Sequence, residues 1–498
     1  MKKLAIIFIA IFALSFVSCR DDFKFEPNTG NLTFSRDTVY LDTVFTNIGS
    51  SVYQLKVYNK SSKDIKIPSI RLGRGENSDY RLMVDGTPGK IFNDVEILAK
   101  DSLYIFIETT IDYDKYKNGS SEYLYTDQIE FDYEANYQKV ELVTLVKDAY
   151  FLYPKKYSDN SYENIIIDND PIYGFILDEN DPVNGNELIW TNKKPYVIYG
   201  YAVVPSNNSL IIQEGAHIHF HNNSGLIVAQ NANLECSGSI QNQIIIEGDR
   251  LEPAFANRSG QWGTIWVTPG STAYIQNTIV KNGTVGLLIE DNAATVNLYN
   301  VQLYNHTHYG ILGQHATIAG ENIVTNNIGV ASLGITLGGS YNFNHATFAN
   351  FGALGSTTCV MIDNGDGNSA NALTEANFNN SIFFGSTSSA LNLQPAPTGT
   401  FNYYFANSLI RYYDFGQSDP KNLYPIKNTT NYLNNIIAKN ANIIADFKNL
   451  NTNDLRIGNK SAAIGISNSI PNSGYDILGN IRPYAQADAG AYNHSNFE

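Results

Sequence analysis

The chain has 498 residues, 33 basic against 48 acidic, and a formal net charge of −15. That length exceeds what one ordinary hydrophobic core serves, so two or three folding units are expected. The acidic balance argues against nucleic acid as a partner and against polybasic contact with lipid. Only 16% of residues are charged, whereas Tyr numbers 33 and Phe 25, a composition that suits strands. No long segment spaces its apolar residues at helical intervals, so the expected fold class is all-β.

Residues 1–18 read as an export signal. Lys2-Lys3 form its basic end, Leu4 to Val17 its apolar stretch, and Ser18 precedes Cys19. The stretch is too short to span a bilayer. The run Leu14-Ser-Phe-Val-Ser-Cys19 resembles a bacterial lipoprotein signal, although Phe16 stands where a smaller aliphatic residue is usual. The resemblance implies that Cys19 is acylated and that outer-membrane lipid is the partner that anchors it. Arg20-Asp21-Asp22-Phe23 is similar to the acidic tract of surface-exposed lipoproteins in Bacteroidetes-type bacteria. It implies an outer-membrane protein displayed at the cell surface, with residues 19–30 as its tether.

From Leu32 to Val146 short runs alternate apolar and polar residues, as in Leu55-Lys-Val57 and Ile129-Glu-Phe131. About eight such strands in residues 31–150 suit an antiparallel β-sandwich with one wet face per sheet. Asp42-Thr-Val-Phe-Thr-Asn-Ile-Gly49 resembles the Ig-like modules that precede larger domains in bacterial surface proteins. Residues 151–195, rich in Tyr, Asn and Asp, read as a linker and the N-terminal lid of a coil.

That coil is expected over residues 196–445. Leu210-Ile-Ile212, Ile218-His-Phe220, Leu226-Ile-Val228, Leu234-Glu-Cys236 and Ile244-Ile-Ile246 are too closely spaced for helical crossovers. Three strands per turn of a right-handed parallel β-helix fit instead. Further on, a phrase of Asn and a short apolar run recurs with leading residues Asn277, Asn300, Asn322 and His345, spaced 23, 22 and 23 apart. Asn380 and Asn407 continue it. Asn tolerates left-handed backbone angles at a sharp bend, and stacked amides bond from rung to rung. Residues 352–376 and 386–400 read as loops leaving the coil, and 446–498 as its C-terminal cap. Cys236 reads as a small buried residue, and no disulfide to Cys359 is expected.

The ending carries the most specific family signal. Asp476-Ile-Leu-Gly479-Asn-Ile-Arg482 and Asp488-Ala-Gly-Ala-Tyr492 resemble the C-terminal cap of bacterial pectin-lyase-like β-helix proteins. Ser461-Ala-Ala departs from that pattern where Pro is common. With Glu247-Gly-Asp-Arg-Leu-Glu252 and Gly260-Gln-Trp-Gly263, the likeness is to Bacteroidetes β-helix surface lipoproteins bearing an N-terminal Ig-like module. It implies fold and location, not a reaction.

Candidate chemistry is sparse. Glu290 and Glu321 are the carboxylate pair that glycoside hydrolysis could use; solvated surface carboxylates are the alternative. Between residues 260 and 350 only Lys281, Glu290, Asp291 and Glu321 carry charge besides His. The polygalacturonase pattern is missing too, since His308-Tyr-Gly310 lacks its first Gly. This scarcity argues against an enzyme. His217, His219 and His221 alternate with Ile218 and Phe220, so the imidazoles share one strand face and are metal-ligand candidates. A solvent-facing polar stripe is the alternative, and His306 with His308 makes a similar pair. No cofactor is expected. Asp363-Asn-Gly-Asp-Gly-Asn368 has calcium-loop composition without the ligand order of an EF-hand, so it reads as the flexible tip of an insertion, with calcium binding as the alternative. Trp262, Trp266, Tyr404 and Tyr412 are candidates for stacking sugars; packing against the coil is the alternative. The leading expectation is binding of extracellular glycan or protein without catalysis. A polysaccharide lyase or glycoside hydrolase, and a structural component of a surface assembly, are the alternatives.

Overall fold

The computed structural model describes residues 24–497 except 117–119, 168, 293–294, 353–356, 366–369, 414–418, 420, 425–429 and 469–473. The expected signal peptide and Cys19 lie outside the described residues, as do parts of both the tether and the calcium-like run. Among the described residues the chain is all-β, interrupted only by short 3-10 turns. It divides into two units, Met1–Asp148 and Ala149–Glu498.

The first unit is built from two sheets around one apolar core. One sheet runs Glu26–Pro27, Ile65–Leu72, Glu122–Phe131, Gln138–Lys147 and Thr38–Tyr40; the other runs Thr33–Phe34, Tyr53–Tyr58, Ser102–Thr109, Tyr80–Val84 and Thr87–Gly89. Strict alternation directs the faces: in Gln138–Lys147, Val140, Leu142 and Val146 point into the core, while Lys139 and Glu141 do not. Pairing is mostly antiparallel, but Thr38–Tyr40 and Val44–Phe45 pair parallel to Gln138–Lys147.

In the second unit every rung of the coil is parallel to the next, and the strands fall into three faces. Tyr201–Val204, Gly225–Val228 and Ile265–Val267 start the first face. Ser209–Gln213, Asn233–Ser237 and the first half of Thr272–Lys281 start the second. Tyr196–Ile198, His217–Phe220, Ile244–Gly248 and the second half of Thr272–Lys281 start the third. Side chains such as Leu210, Leu234 and Leu298 fill the interior. Phe378 stacks on Phe405 with ring centroids 4.7 Å apart, and Phe405 on Tyr432 at 5.4 Å. Cys236 is buried in this core, in accord with the small-residue reading.

The recurrent Asn marks the bend from the second face to the third. Asn277, Asn300, Asn322, His345, Asn380 and Asn407 all have φ between 46° and 54°, where an L-residue other than Asn or Asp is disfavoured. Nδ2 of Asn300 donates to Oδ1 of Asn277 and Nδ2 of Asn322 to Oδ1 of Asn300, each at 2.9 Å. The bend-forming role expected of the repeat is therefore observed.

Several expected boundaries need correction. The coil begins inside the expected lid: Tyr150–Leu152, Gly174 to Ile176 and Ile189–Trp190 pair parallel with the three faces of the following rung. Strands of two or three residues leave no readable period. The two expected loops also contain rung strands. Thr358–Asp363 buries Cys359, Val360 and Ile362, and Leu391–Gln394 buries Leu391 and Leu393. The expected C-terminal cap runs along a side of the coil instead. On the third face Val324, Ala349, Ile382, Phe384, Leu409 and Ala438 carry apolar groups outward, and Leu455, Ile457, Ala463, Ile477, Ala489, Ala491 and Tyr492 cover them. At the last rungs Leu423 and Tyr424 pack against the core.

Candidate functional site

The second face holds a groove of about 550 Å³. Register stacks Tyr274, Asn297, Ala319, Asn342, Asn377 and Tyr404 in one outward column. Gln276, Tyr299, Glu321, Asn344 and Asn379 form the next. Ala319, with its single methyl between Asn297 and Asn342, accounts for the depression between longer side chains. Asn342, which lines the groove, belongs to a polar lattice that continues into the next rung. Asn342 Nδ2 donates to Glu375 Oε1 at 2.8 Å, and Asn377 Nδ2 donates to Asn342 Oδ1 and Glu375 Oε2, both at 2.9 Å. Tyr274 is 41% exposed, so its ring is available from solvent.

Glu290 and Glu321 do not form the expected pair. Glu290 lies on the first face, in register with Gln314, and accepts from Trp266 Nε1 at 2.8 Å. Glu321 lies on the second face beyond the bend at His315, in register with Tyr299 and Asn344. The two carboxylates project from different sides of the coil. Among the aromatic candidates, Trp262 is only 1% exposed, stacks on Phe220 at 4.9 Å and donates Nε1–H to the Lys281 carbonyl. Tyr412 is buried against Tyr424. Both are packing residues, which corrects the expectation. Trp266 is half-buried on the first face, and Tyr404 extends the Tyr274 column on the second.

The histidines separate. Ile218 and Phe220 point inward as alternation requires, but His219 is itself 2% exposed, which removes the solvent-facing stripe. Glu247 lies beside it in the next rung: His217 Nε2 is 2.6 Å from Glu247 Oε1, and Lys281 Nζ is 2.6 Å from Oε2. Burial pushes the Glu247 carboxyl upward, but the hydrogen bond with His217 and the charges of His219, Lys281 and His217 outweigh it and bring the pKa down to about 2. His221 belongs to another pair, with Nδ1 2.7 Å from Asp249 Oδ2. His306 is buried with Nε2 3.2 Å from the Val280 carbonyl, so it forms no pair with His308. Asp363, at the start of the calcium-like run, accepts from the Leu337 and Gly365 amides and holds a turn.

Glu247 and Lys281 were not among the sequence candidates for this site. They are 30 and 64 residues from His217, and only the rung register, His219 opposite Glu247 with Lys281 one strand further, assembles them. The Tyr274–Tyr299–Asn342 groove was likewise hidden in positions that the Asn phrase leaves variable.

No family model and no curated protein matches the chain. Among solved structures, the catalytic domain of a GH87 alpha-1,3-glucanase in complex with tetrasaccharides is similar over 71% of this chain and 75% of that one, at 12% identity and a TM-score of 0.19. The PapD-like domain 7 of human CEP192 aligns with 26% of this chain and 94% of its own, at 10% identity and a TM-score of 0.16. A family 123 glycoside hydrolase from Clostridium perfringens aligns with 24% and 26%, at 10% identity and a TM-score of 0.16. Likenesses this slight carry no weight for fold or activity.

Proposed function

We propose that the chain is a lipid-anchored surface protein, with an Ig-like sandwich and a right-handed parallel β-helix, whose second face binds extracellular glycan without catalysis. The observation that carries the reading is the groove itself. Tyr rings and Asn amides offer apolar faces and paired donors and acceptors to sugar hydroxyls, and Glu290 and Glu321 lie on different faces. Acylated Cys19 and outer-membrane display belong to the same proposal, supported by the signal and the acidic tract.

The test is a glycan array probed with the purified chain, coupled to assays for new reducing ends and unsaturated product. Tyr299→Ala is expected to weaken binding about tenfold, the loss of one stacked ring and its buried area. Trp262→Phe, buried beneath the first face, is expected to leave affinity unchanged. Product release from a bound glycan would sink the non-catalytic reading and favour a lyase or hydrolase.

A further inference from the structure

Outside the groove, on the third face, the His217–His219–Glu247 cluster gathers donors that a purely structural strand face does not need. One ligand atom from each residue lies within 4.8 Å of the others. The rings of His217 and His219 are 4.3 Å apart between centroids. His219 Nδ1 is 3.1 Å from the Gly248 carbonyl. A carbonyl only accepts, so the proton sits on Nδ1 and the lone pair on Nε2. A backbone carbonyl fixing the second nitrogen is the usual outer partner of a metal-binding imidazole. Glu247, held as a carboxylate, supplies the anionic ligand.

We propose that His217, His219 and Glu247 form a binding site for a divalent transition metal of the zinc class, with the Lys281 ammonium as the competing cation on Glu247. Two imidazoles and one carboxylate are a borderline-soft set that suits zinc rather than calcium or magnesium, which prefer oxygen. Bonds of about 2.0–2.2 Å place tetrahedral donors about 3.3 Å apart. The 2.6 Å contact between His217 and Glu247 opens to that separation with a small rotation of the Glu247 side chain. The same rotation frees Oε2 from Lys281. His217 is the partly exposed member, its side chain 34% accessible, so the ion enters past it. His221, tied to Asp249, takes no part.

The inference is independent of the glycan reading, and its test has its own readouts. The full chain, freed of metal with chelator, is titrated with Zn²⁺ by calorimetry and with Co²⁺ by visible absorption. One saturable equivalent with a low-symmetry Co²⁺ spectrum is expected. His217→Ala and Glu247→Gln should each weaken binding at least ~100-fold and abolish the spectrum. Lys281→Met, which removes the competing cation, should tighten binding. The proposal is overturned if no saturable equivalent appears. It is equally overturned if His217→Ala and Glu247→Gln bind as the parent does, or if Lys281→Met abolishes binding. Thermal unfolding of each metal-free variant, expected within a few degrees of the parent, separates ligand loss from misfolding.

Discussion

Replacing Arg482 with Met is expected to destabilise the second unit by about 3–5 kcal/mol, the range for removing one member of a buried charged network. Arg482 is 8% exposed. Its guanidinium donates to Asn322 Oδ1 at 2.9 Å, to the Gly490 carbonyl at 3.0 Å and to the Tyr475 carbonyl at 3.2 Å. Burial lowers its pKa to about 10, and the opposing charges of Asp476, Glu321 and Asp488 keep it a cation at neutral pH. Met would fill part of the space and leave those acceptors and carboxylates uncompensated. The side chain joins the rung-to-rung Asn ladder to the C-terminal segment that covers the third face, so its loss should also release protection of amides in 475–492. Arg456→Met is the control: that guanidinium, 38% exposed and paired with Asp454, is expected to contribute about 1 kcal/mol or less. Trp190, Trp262 and Trp266 are the chain's three Trp residues and all lie in the second unit. Tryptophan fluorescence during urea unfolding therefore reads this unit alone. Equal losses for the two variants would refute the keystone role of Arg482.

Arg482 also shows which parts of the molecule were legible beforehand. Its motif, Asp476-x-x-Gly479-x-x-Arg482, was visible as a string, but its physical content was not. Asp476 Oδ1 accepts the Leu478 and Asn480 amides, Gly479 turns at φ 82°, and Arg482 is thereby aimed at Asn322, 160 residues away in the chain. The Asn bends could be read because a left-handed residue is a local requirement that selects its own side chain. The first rung could not be, since Ile189–Trp190 has no period to detect. The sideways course of residues after Ala438 was hidden for another reason: outward apolar residues such as Ile382 and Leu409 fall in short wholly apolar runs, where alternation no longer tells the inside from the outside. The histidine triplet was the partial success. Alternation placed His217 and His219 on one face, but their carboxylate partner is contributed by the next rung, and a period of 28 to 30 residues with unequal loops does not reveal a register.

Lowering the pH from 6.5 to about 5 is expected to weaken the second unit by about 2 kcal/mol for each of two buried histidines, His306 and His345. Burial lowers the pKa of His306 from 6.5 to about 4 and, with the nearby Arg482 charge, that of His345 from 6.5 to about 3. Both imidazoles are thus neutral in the folded chain. The unfolded chain takes up their protons below pH 6.5 and the folded chain does not, so stability is fully present above that pH. It is lost as the pH falls toward the folded values. Glu247 and Asp454, whose carboxyls are lowered, act only below the ordinary carboxylate pKa, whereas Glu187 and Asp363, raised by burial, take up protons in the folded chain above it and partly offset the loss as the pH approaches 5. Comparing the parent with a variant that lacks one histidine cancels these carboxyl contributions and isolates that histidine. His345 occupies a bend that Asn fills in the neighbouring rungs, at φ 51°, and its Nδ1 has no hydrogen-bond partner among the described residues. His345→Asn fits that backbone and removes one titrating group. Tryptophan-monitored urea unfolding at pH 7 and pH 5 should show the variant losing about 2 kcal/mol less than the parent across the interval. Parallel losses would mean that His345 is not the group whose protonation weakens the coil.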